Sequence, residues 1–537
     1  MRKSLMIVLA AALLISVLPA SAELQNVQVG GEIRIRATYY SNYVPNSDVA
    51  KAVNTNPGVL AANQIIWPAF FLPRRAIGSG AFNGNGILSA FSWDEDSNDL
   101  SFVEQRTRLN VKADFTNEVS AFIELDSYDI WGEDFRSNYI TGADGRAVSN
   151  DDVEMYQAYI EANEMFGMPI RMRVGRQELS FGSEWLVGVN DTATFFQGLS
   201  FDGLRLTYAT DILSVDAFAT ILAEGGVGEQ DGDTAFYGVY ASYKGLENIS
   251  IDAYWMWLRD ARSLNDTANN AILEFWEDVF NLDDYDVTNL HTVGLRGAGT
   301  IGALDFEAEV AYQFGDADQV GSLFAPFQYG ADGAEFEAWG ANLEVGYTFD
   351  FMWTPRVYVG GAYFDGEDNR DLTFGEWLNP YYAFNPKSSV SFNRLFSNWE
   401  YSEFIENTDL SNAWIARAGV SVKPTESIEV LLAASYFETL EEFDQPAYFT
   451  LGGFKVPLAP NLSFWTQESD QYLGTEVGLY VTYNYSEDLQ FSAGWAHLFV
   501  GEGLEDGNFS AGNGLLFNGG TDNEDSDYVF VETKLCF

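Results

Sequence analysis

Cysteine is almost missing from this chain: Cys536 stands alone in 537 residues. A lone thiol excludes an internal disulfide framework and a Cys-rich zinc site, so folding must rest on strand pairing and burial. Histidine is nearly as scarce, with only His291 and His497, far apart in the sequence. No HExxH, P-loop or GxSxG text accompanies them. We expect no catalytic residue, an Asp–His pair assembled at an outer rim being the one hydrolase arrangement left open. Basic residues are few, 28 Lys and Arg against 79 Asp and Glu, for a formal net charge of −51. That balance excludes nucleic acid as a partner. Long apolar runs are absent too. Beyond the first 22 residues no stretch reaches the roughly 18 apolar residues a spanning helix needs.

Those first residues read as a secretory leader. Arg2 and Lys3 open it, Leu5 to Leu18 is apolar, and Ala20-Ser21-Ala22 fits a small-residue cleavage site. The expected organisation is a leader over 1–22 and a single domain over 23–537, outside the cytoplasm.

What the chain does have is aromatic residues, 15% of the total, and 49 glycines. Its mean hydropathy of −0.11 would suit a soluble protein. A polar average with an aromatic excess is what alternating strands of a membrane barrel with interfacial girdles produce. Alternation is visible directly. In "GEIRIRATYY", Ile33, Ile35, Ala37 and Tyr39 interleave with Glu32, Arg34, Arg36 and Thr38. In "LDFEAEVAYQF", Leu304, Phe306, Ala308, Val310, Tyr312 and Phe314 share one face. Eighteen such segments can be placed, from Gly31 to Tyr40 at one end to Tyr528 to Phe537 at the other.

The connections alternate between short ones, such as "TNE", "GTIGA" and "KPTES", and long ones, such as 41–101, 365–412 and 500–527. A soluble sandwich gives no reason for that asymmetry, whereas outer-membrane barrels have tight periplasmic turns and long external loops. The fold class expected is therefore all-β, a transmembrane antiparallel barrel of about 18 strands in the outer membrane, in contact with its lipid. The chain also ends inside a strand, on Phe537. This ending resembles the terminal signature of bacterial outer-membrane proteins and implies delivery by periplasmic assembly machinery.

In a barrel each strand faces lipid and lumen alternately. An arginine at the lipid midplane costs roughly 2–4 kcal/mol, so Arg34 and Arg36 are expected to face inward. The same argument turns Arg106 and Arg108 inward beside Glu104, then Arg171 and Arg173, and Arg205 on a later strand. A ring of arginines selects for anions, and the planar guanidinium binds carboxylate or phosphate with two hydrogen bonds. Glu32, Glu104, Glu124 and Asp126 share these faces. Arg–carboxylate pairs that merely brace the wall therefore stay open as the other account.

Residues 174–206 contain Gly175-Arg176-Gln177, then Gly182, then Phe201-Asp202-Gly203. This strand–loop–strand text resembles the signature of the alginate-export outer-membrane family. The resemblance implies a monomeric barrel that passes an anionic polyuronate, or another anionic solute, by passive diffusion along an electropositive lumen. It also implies that Arg176 lines that lumen. Two other classes remain, a general or cation-preferring porin with an acidic vestibule, and a non-conducting adhesion or scaffold barrel.

Excess negative charge gathers in the long connections, as in "NLDDYD" (Asp283, Asp284, Asp286) and "DGEDNRD" (Asp365, Glu367, Asp371). Carboxylates at alternate positions suit calcium, but neither stretch has the full twelve-residue loop with its glycine and final Glu. A solvated, mutually repelling face is the preferred account. No other cofactor is expected. For a loop that narrows the lumen, length and the apolar "PAFFLP" single out 41–101.

Overall fold

The computed structural model describes residues 24–42, 99–115, 118–131, 153–189, 198–223, 233–261, 287–317, 334–366, 392–405, 410–441, 470–505 and 525–537, with a few short loop strands between 88 and 517. Eighteen long strands follow one another: β1 Leu24–Ser41, β2 Leu100–Phe115, β3 Val119–Ile130, β4 Glu154–Ala162, β5 Ile170–Gln177, β6 Phe201–Ala209, β7 Leu213–Ala223, β8 Thr234–Leu246 and β9 Ile249–Asp260. The second half comprises β10 Thr288–Ile301, β11 Leu304–Ala317, β12 Ala334–Thr348, β13 Arg356–Phe364, β14 Ala413–Thr425, β15 Ile428–Thr439, β16 Tyr472–Asn484, β17 Leu489–Val500 and β18 Ser526–Cys536. Every strand pairs antiparallel with its neighbours in sequence, and β1 closes on β18 with Glu32 opposite Cys536 and Ser41 opposite Asp527. The result is a closed 18-stranded barrel without a free edge.

One rim carries short turns such as 247–248, 302–303 and 426–427, and the other carries the long connections. β1 begins at Leu24, seven residues earlier than its alternation alone indicated. Its first part pairs with the far end of β2, Val29 opposite Val111. On β4 a register shift opposite Glu124 and Leu125 inserts one extra residue, a bulge of the kind that re-aims side chains.

The two faces of the wall differ as hydrocarbon and lumen demand. Outward positions are apolar and uncovered, among them Val29, Leu109, Ile160, Leu295, Leu343 and Leu432. Aromatic residues bracket them at both ends: on β12, Trp339 and Tyr347 stand eight residues apart on the outward face. At about 3.4 Å per residue and the usual barrel tilt, that spacing spans roughly 20 Å of membrane. Both histidines belong to this outer belt. His291 stacks on Trp255, Trp257 and Phe314, and His497 packs on Trp495 and bonds Asp527 at 3.0 Å.

The buried hydrophobic cluster lies inside the cylinder. Its members come partly from the wall, such as Phe218, Tyr240, Phe364 and Tyr528, and partly from two long connections, such as Trp185, Phe392, Tyr401 and Phe404.

Candidate channel lumen

On β18, β1 and β2 the inward side chains form rows across the strands. Arg34 lies between Lys534 and Arg106, Arg36 between Glu532 and Glu104, and Glu32 is followed by Arg108 and then Asp126 on β3. Cations of one row therefore meet carboxylates of the next. The Glu532 carboxylate takes Nε of Arg34 at 2.8 Å and Nη2 of Arg36 at 2.7 Å. Glu32 takes Nη2 of Arg106 at 2.5 Å and Nζ of Lys534 at 2.9 Å. Each of these carboxylates is shared by two cations. Arg108 lies 3.5 Å from Asp126, and its guanidinium covers the Tyr156 ring at 3.9 Å. Arg34, Arg36, Arg106 and Arg108 are all buried, so breaking such a pair costs more than the same pair would contribute in water.

Arg173 pairs with Glu161 at 2.8 Å, and Arg205 with Asp216 at 2.8 Å. Arg171 hydrogen-bonds the Thr207 hydroxyl at 3.4 Å. Across the ring the proportions invert. Arg296 on β10 lies 2.7 Å from Asp252, 3.0 Å from Glu307 and 3.8 Å from Glu309. Arg356 on β13 meets Asp305 at 2.5 Å and Glu344 at 2.8 Å.

Two connections turn into the barrel and meet there. Residues 178–189 leave the end of β5, and 392–405 belong to the connection between β13 and β14. They join through a parallel bridge between Val187 and Phe396 and through main-chain bonds from Gly188 to Phe396, Phe396 to Leu186 and Asn398 to Glu184. Side chains lock the joint: Trp185 Nε1 donates to the Tyr401 hydroxyl at 3.0 Å, and Trp399 Nε1 donates to the Ser183 carbonyl at 2.7 Å.

Each segment is also tied to the wall. Phe181 stacks on Phe218 and Tyr240. Trp185 stacks on Phe364 of β13, far around the ring from β5 where its segment starts. The Asn393 backbone exchanges hydrogen bonds with the Gln313 side chain of β11. The Tyr401 hydroxyl donates to Asn342 of β12. Glu476 of β16 accepts from the Ser402 hydroxyl at 2.5 Å and from the Glu403 amide. Phe404 packs edge-on against Tyr40 and Tyr528 at the β1–β18 closure. Together the segments form a crossbar over the lumen, held by buried aromatics worth roughly 1.5–3 kcal/mol each.

The segment 41–101 lies largely outside the described residues. Sequence reasoning missed the two segments that, among the described residues, turn inward. Their signal was available as aromatic density within long connections, in "SFGSEW" and "FNRLFSNWEYSEF".

The signature residues of 174–206 anchor the first of these segments. Gly175 faces Gly203 across β5 and β6. Its φ is +128°, and a Cβ there would lie 2.2 Å from the Ala158 carbonyl oxygen, which explains glycine at that point. Gln177 is fully buried and donates to the carbonyls of Gly175 and Gly203. Phe201 is buried against Phe236 and Phe396. Gly182 has φ +60°, and a Cβ would press on the Tyr240 hydroxyl at 2.6 Å.

Arg176 corrects the expectation. It stands on the outward parity with Val174, half exposed, and forms a two-pronged pair with Asp202 at 2.8 Å on each arm. It is not a lumen residue. It fastens β5 to β6 from outside, at the level where the inward segment departs.

Of the acidic loop residues, Asp283, Asp284, Asp286, Glu367 and Asp371 lie outside the described residues. Asp365 accepts the Trp339 amide and the Tyr363 hydroxyl. Among the described residues no group of carboxylates and histidines is arranged to hold a metal.

A closed barrel with a lipid-compatible exterior and a charged, partly spanned interior defines a channel protein of the bacterial outer membrane. The family profile described as alginate export matches residues 92–517, and the chain belongs to that family. In shape it is similar to the crystal structure of Pseudomonas aeruginosa OccK8 (OprE), with a TM-score of 0.47 and 11% identity, over 95% of this chain and 98% of that one. It is also similar to Acinetobacter baumannii OccAB3, with a TM-score of 0.47 and 9% identity, over 95% of this chain and 100% of that one. No curated protein matches the chain. Its fold and family are those of channels and not of enzymes.

Proposed function

We propose that this chain conducts anionic solutes passively across the outer membrane, with acidic polysaccharide of the uronate kind as the substrate class. The observation that carries the reading is the sharing of Glu532 by Arg34 and Arg36, and of Glu32 by Arg106 and Lys534. Along β18, β1 and β2 the wall sets Lys534, Arg34, Arg36 and Arg106 against Glu32, Glu532 and Glu104, an excess of cations that Glu403 of the crossbar tempers at Arg36. Low-dielectric walls focus the resulting potential along a narrow path. The family description supports a polyuronate over a small anion. In this reading residues 1–22 are removed as a leader, and the barrel works as a monomer inserted by periplasmic assembly factors.

A second reading, a general or cation-preferring channel, draws support from Arg296, which faces three carboxylates. Single-channel reversal potentials in a potassium chloride gradient separate the two. Anion preference supports the first, and cation preference overturns it in favour of the second. A bilayer that stays silent after insertion would sink both and leave a non-conducting barrel.

A further inference from the structure

The lumen arginines differ in what stands beside them on the neighbouring strands. Arg36 has Glu532 and Glu104, Arg108 has Glu32 and Asp126, Arg296 has Asp252 and Glu309, and Arg173 has Glu161. Arg34, Arg106, Arg205 and Arg356 have no carboxylate directly opposite, yet each reaches one from a further position. Arg417 of β14 differs from these and shares with Arg171 the lack of an ion pair among the described residues. Its inward side chain lies between Gly360 of β13 and Ser435 of β15. Among the described residues no carboxylate forms an ion pair with it. Its Nε is buried without a hydrogen-bond partner.

What does approach Arg417 is the aromatic edge of the crossbar. Its Cζ lies 5.3 Å from the Tyr401 ring centroid and 6.0 Å from that of Trp399. Those two rings are 5.9 Å apart and inclined at 44°. Neither ring is loose, since Tyr401 is bonded by Trp185 and to Asn342, and Trp399 to Ser183. Trp399 keeps part of its surface uncovered.

We infer that Arg417 and Trp399, with the buried Tyr401 packed against both as their support, form a subsite at the crossbar for one uronate residue of an acidic saccharide. The inference rests on the anionic-solute reading above and names the place where the sugar is recognised. A uronate carries a ring face that stacks on an aromatic side chain and a carboxylate that matches the guanidinium fork. Gly360 and Ser435 leave the guanidinium uncompensated and the wall beside it shallow, where a Glu at either position would neutralise it as elsewhere in the barrel. A neutral sugar would use only the Trp399 ring, and chloride only the charge. The subsite therefore favours the ligand that presents both groups together.

The test is block of single-channel current by trimannuronate and, separately, by maltotriose, in the full chain and in Arg417→Gln, Arg417→Lys and Trp399→Leu. Loss of a charge-assisted hydrogen bond weakens binding by roughly ten- to a hundredfold. We expect that loss for trimannuronate in Arg417→Gln, with partial recovery in Arg417→Lys and a much smaller change for maltotriose. Trp399→Leu should weaken both sugars. If Arg417 only pins the crossbar, Arg417→Gln raises the open-channel current and weakens both sugars alike, and the subsite is refuted. Equal trimannuronate block in the parent and Arg417→Gln channels refutes it too, as does an unblocked parent. An anion-selective reversal potential alongside either result leaves the broader reading standing; a cation-selective one removes both.

Discussion

The two sides of the lumen wall use the same chemistry in opposite proportions. On β18, β1 and β2 a carboxylate serves two cations, as Glu532 does for Arg34 and Arg36. On β9 to β13 a cation serves two or three carboxylates, as Arg296 does for Asp252, Glu307 and Glu309. Both arrangements brace the barrel, because each buried charge finds an opposite one. They differ in the sign left over. An overall charge of −51 thus says little about the path of a solute, which depends on which side of the cross-section it follows.

The largest effect should come from unbalancing the tightest pair on the basic side. Arg106 is fully buried against Glu32. Arg106→Glu places carboxylate against carboxylate, at a cost of about 3–5 kcal/mol or more. We expect loss of the heat-modifiable folded band on gels; a normal yield of folded barrel would show that the charge lattice is not structural.

Next in size are changes that keep the fold and shift the residual sign. A unit charge about 4 Å from a permeating ion in water-like surroundings is worth roughly 1 kcal/mol, a several-fold change in permeability ratio. The double variant Arg34→Gln/Arg36→Gln should move the reversal potential towards cations, and Glu307→Gln should move it towards anions. Shifts in the same direction for both would erase the distinction between the two sides.

A pH effect should follow from the crossbar. Desolvation and the neighbouring Glu400 and Glu476 push the Glu403 carboxyl up from its ordinary 4.5 to about 8, with Arg36 and Tyr480 pulling the other way. A carboxyl that is easier to protonate when seated stabilises the seated crossbar at low pH. That contribution fades as pH rises from 4.5 to about 8. Open-channel current should therefore increase over this interval in the parent channel and stay level in Glu403→Gln. A rise of equal size in the variant would assign the pH dependence to other groups.

The smallest effect belongs to the outer surface. Arg176→Ala removes a half-exposed pair worth no more than about 1 kcal/mol. It should leave the reversal potential unchanged, whereas a measurable change in selectivity would return Arg176 to the conducting path.

Much of this wall was legible in the text of the chain. Period-two alternation located all eighteen strands, and the cost of an arginine in hydrocarbon assigns Arg34, Arg36, Arg106 and Arg108 to the face on which they are buried. The same rule, applied to "IRMRVGR", would have turned Arg176 outward, three positions from Arg173. The family resemblance points Arg176 inward, and the structure follows the alternation instead. The crossbar was not legible, since loop residues have no period. Whether Trp185 or Phe404 turns inward depends on partners such as Phe364 and Tyr40 that only closure of the cylinder brings within reach. The idle partners of Arg417 were equally hidden, because Gly360 and Ser435 become its neighbours only through strand register.

The seam between β1 and β18 has a kinetic meaning. Every other rung of the barrel joins strands adjacent in sequence and can zip up as a hairpin, with little loop-closure entropy to overcome. The seam instead unites residues such as Arg34 and Glu532, 498 positions apart. Until it forms, the sheet keeps two raw edges and the crossbar lacks the wall that Phe404 rests on. Insertion should consequently be gated by a single late zippering event, and slowing that event would prolong the interval in which the polypeptide can be degraded.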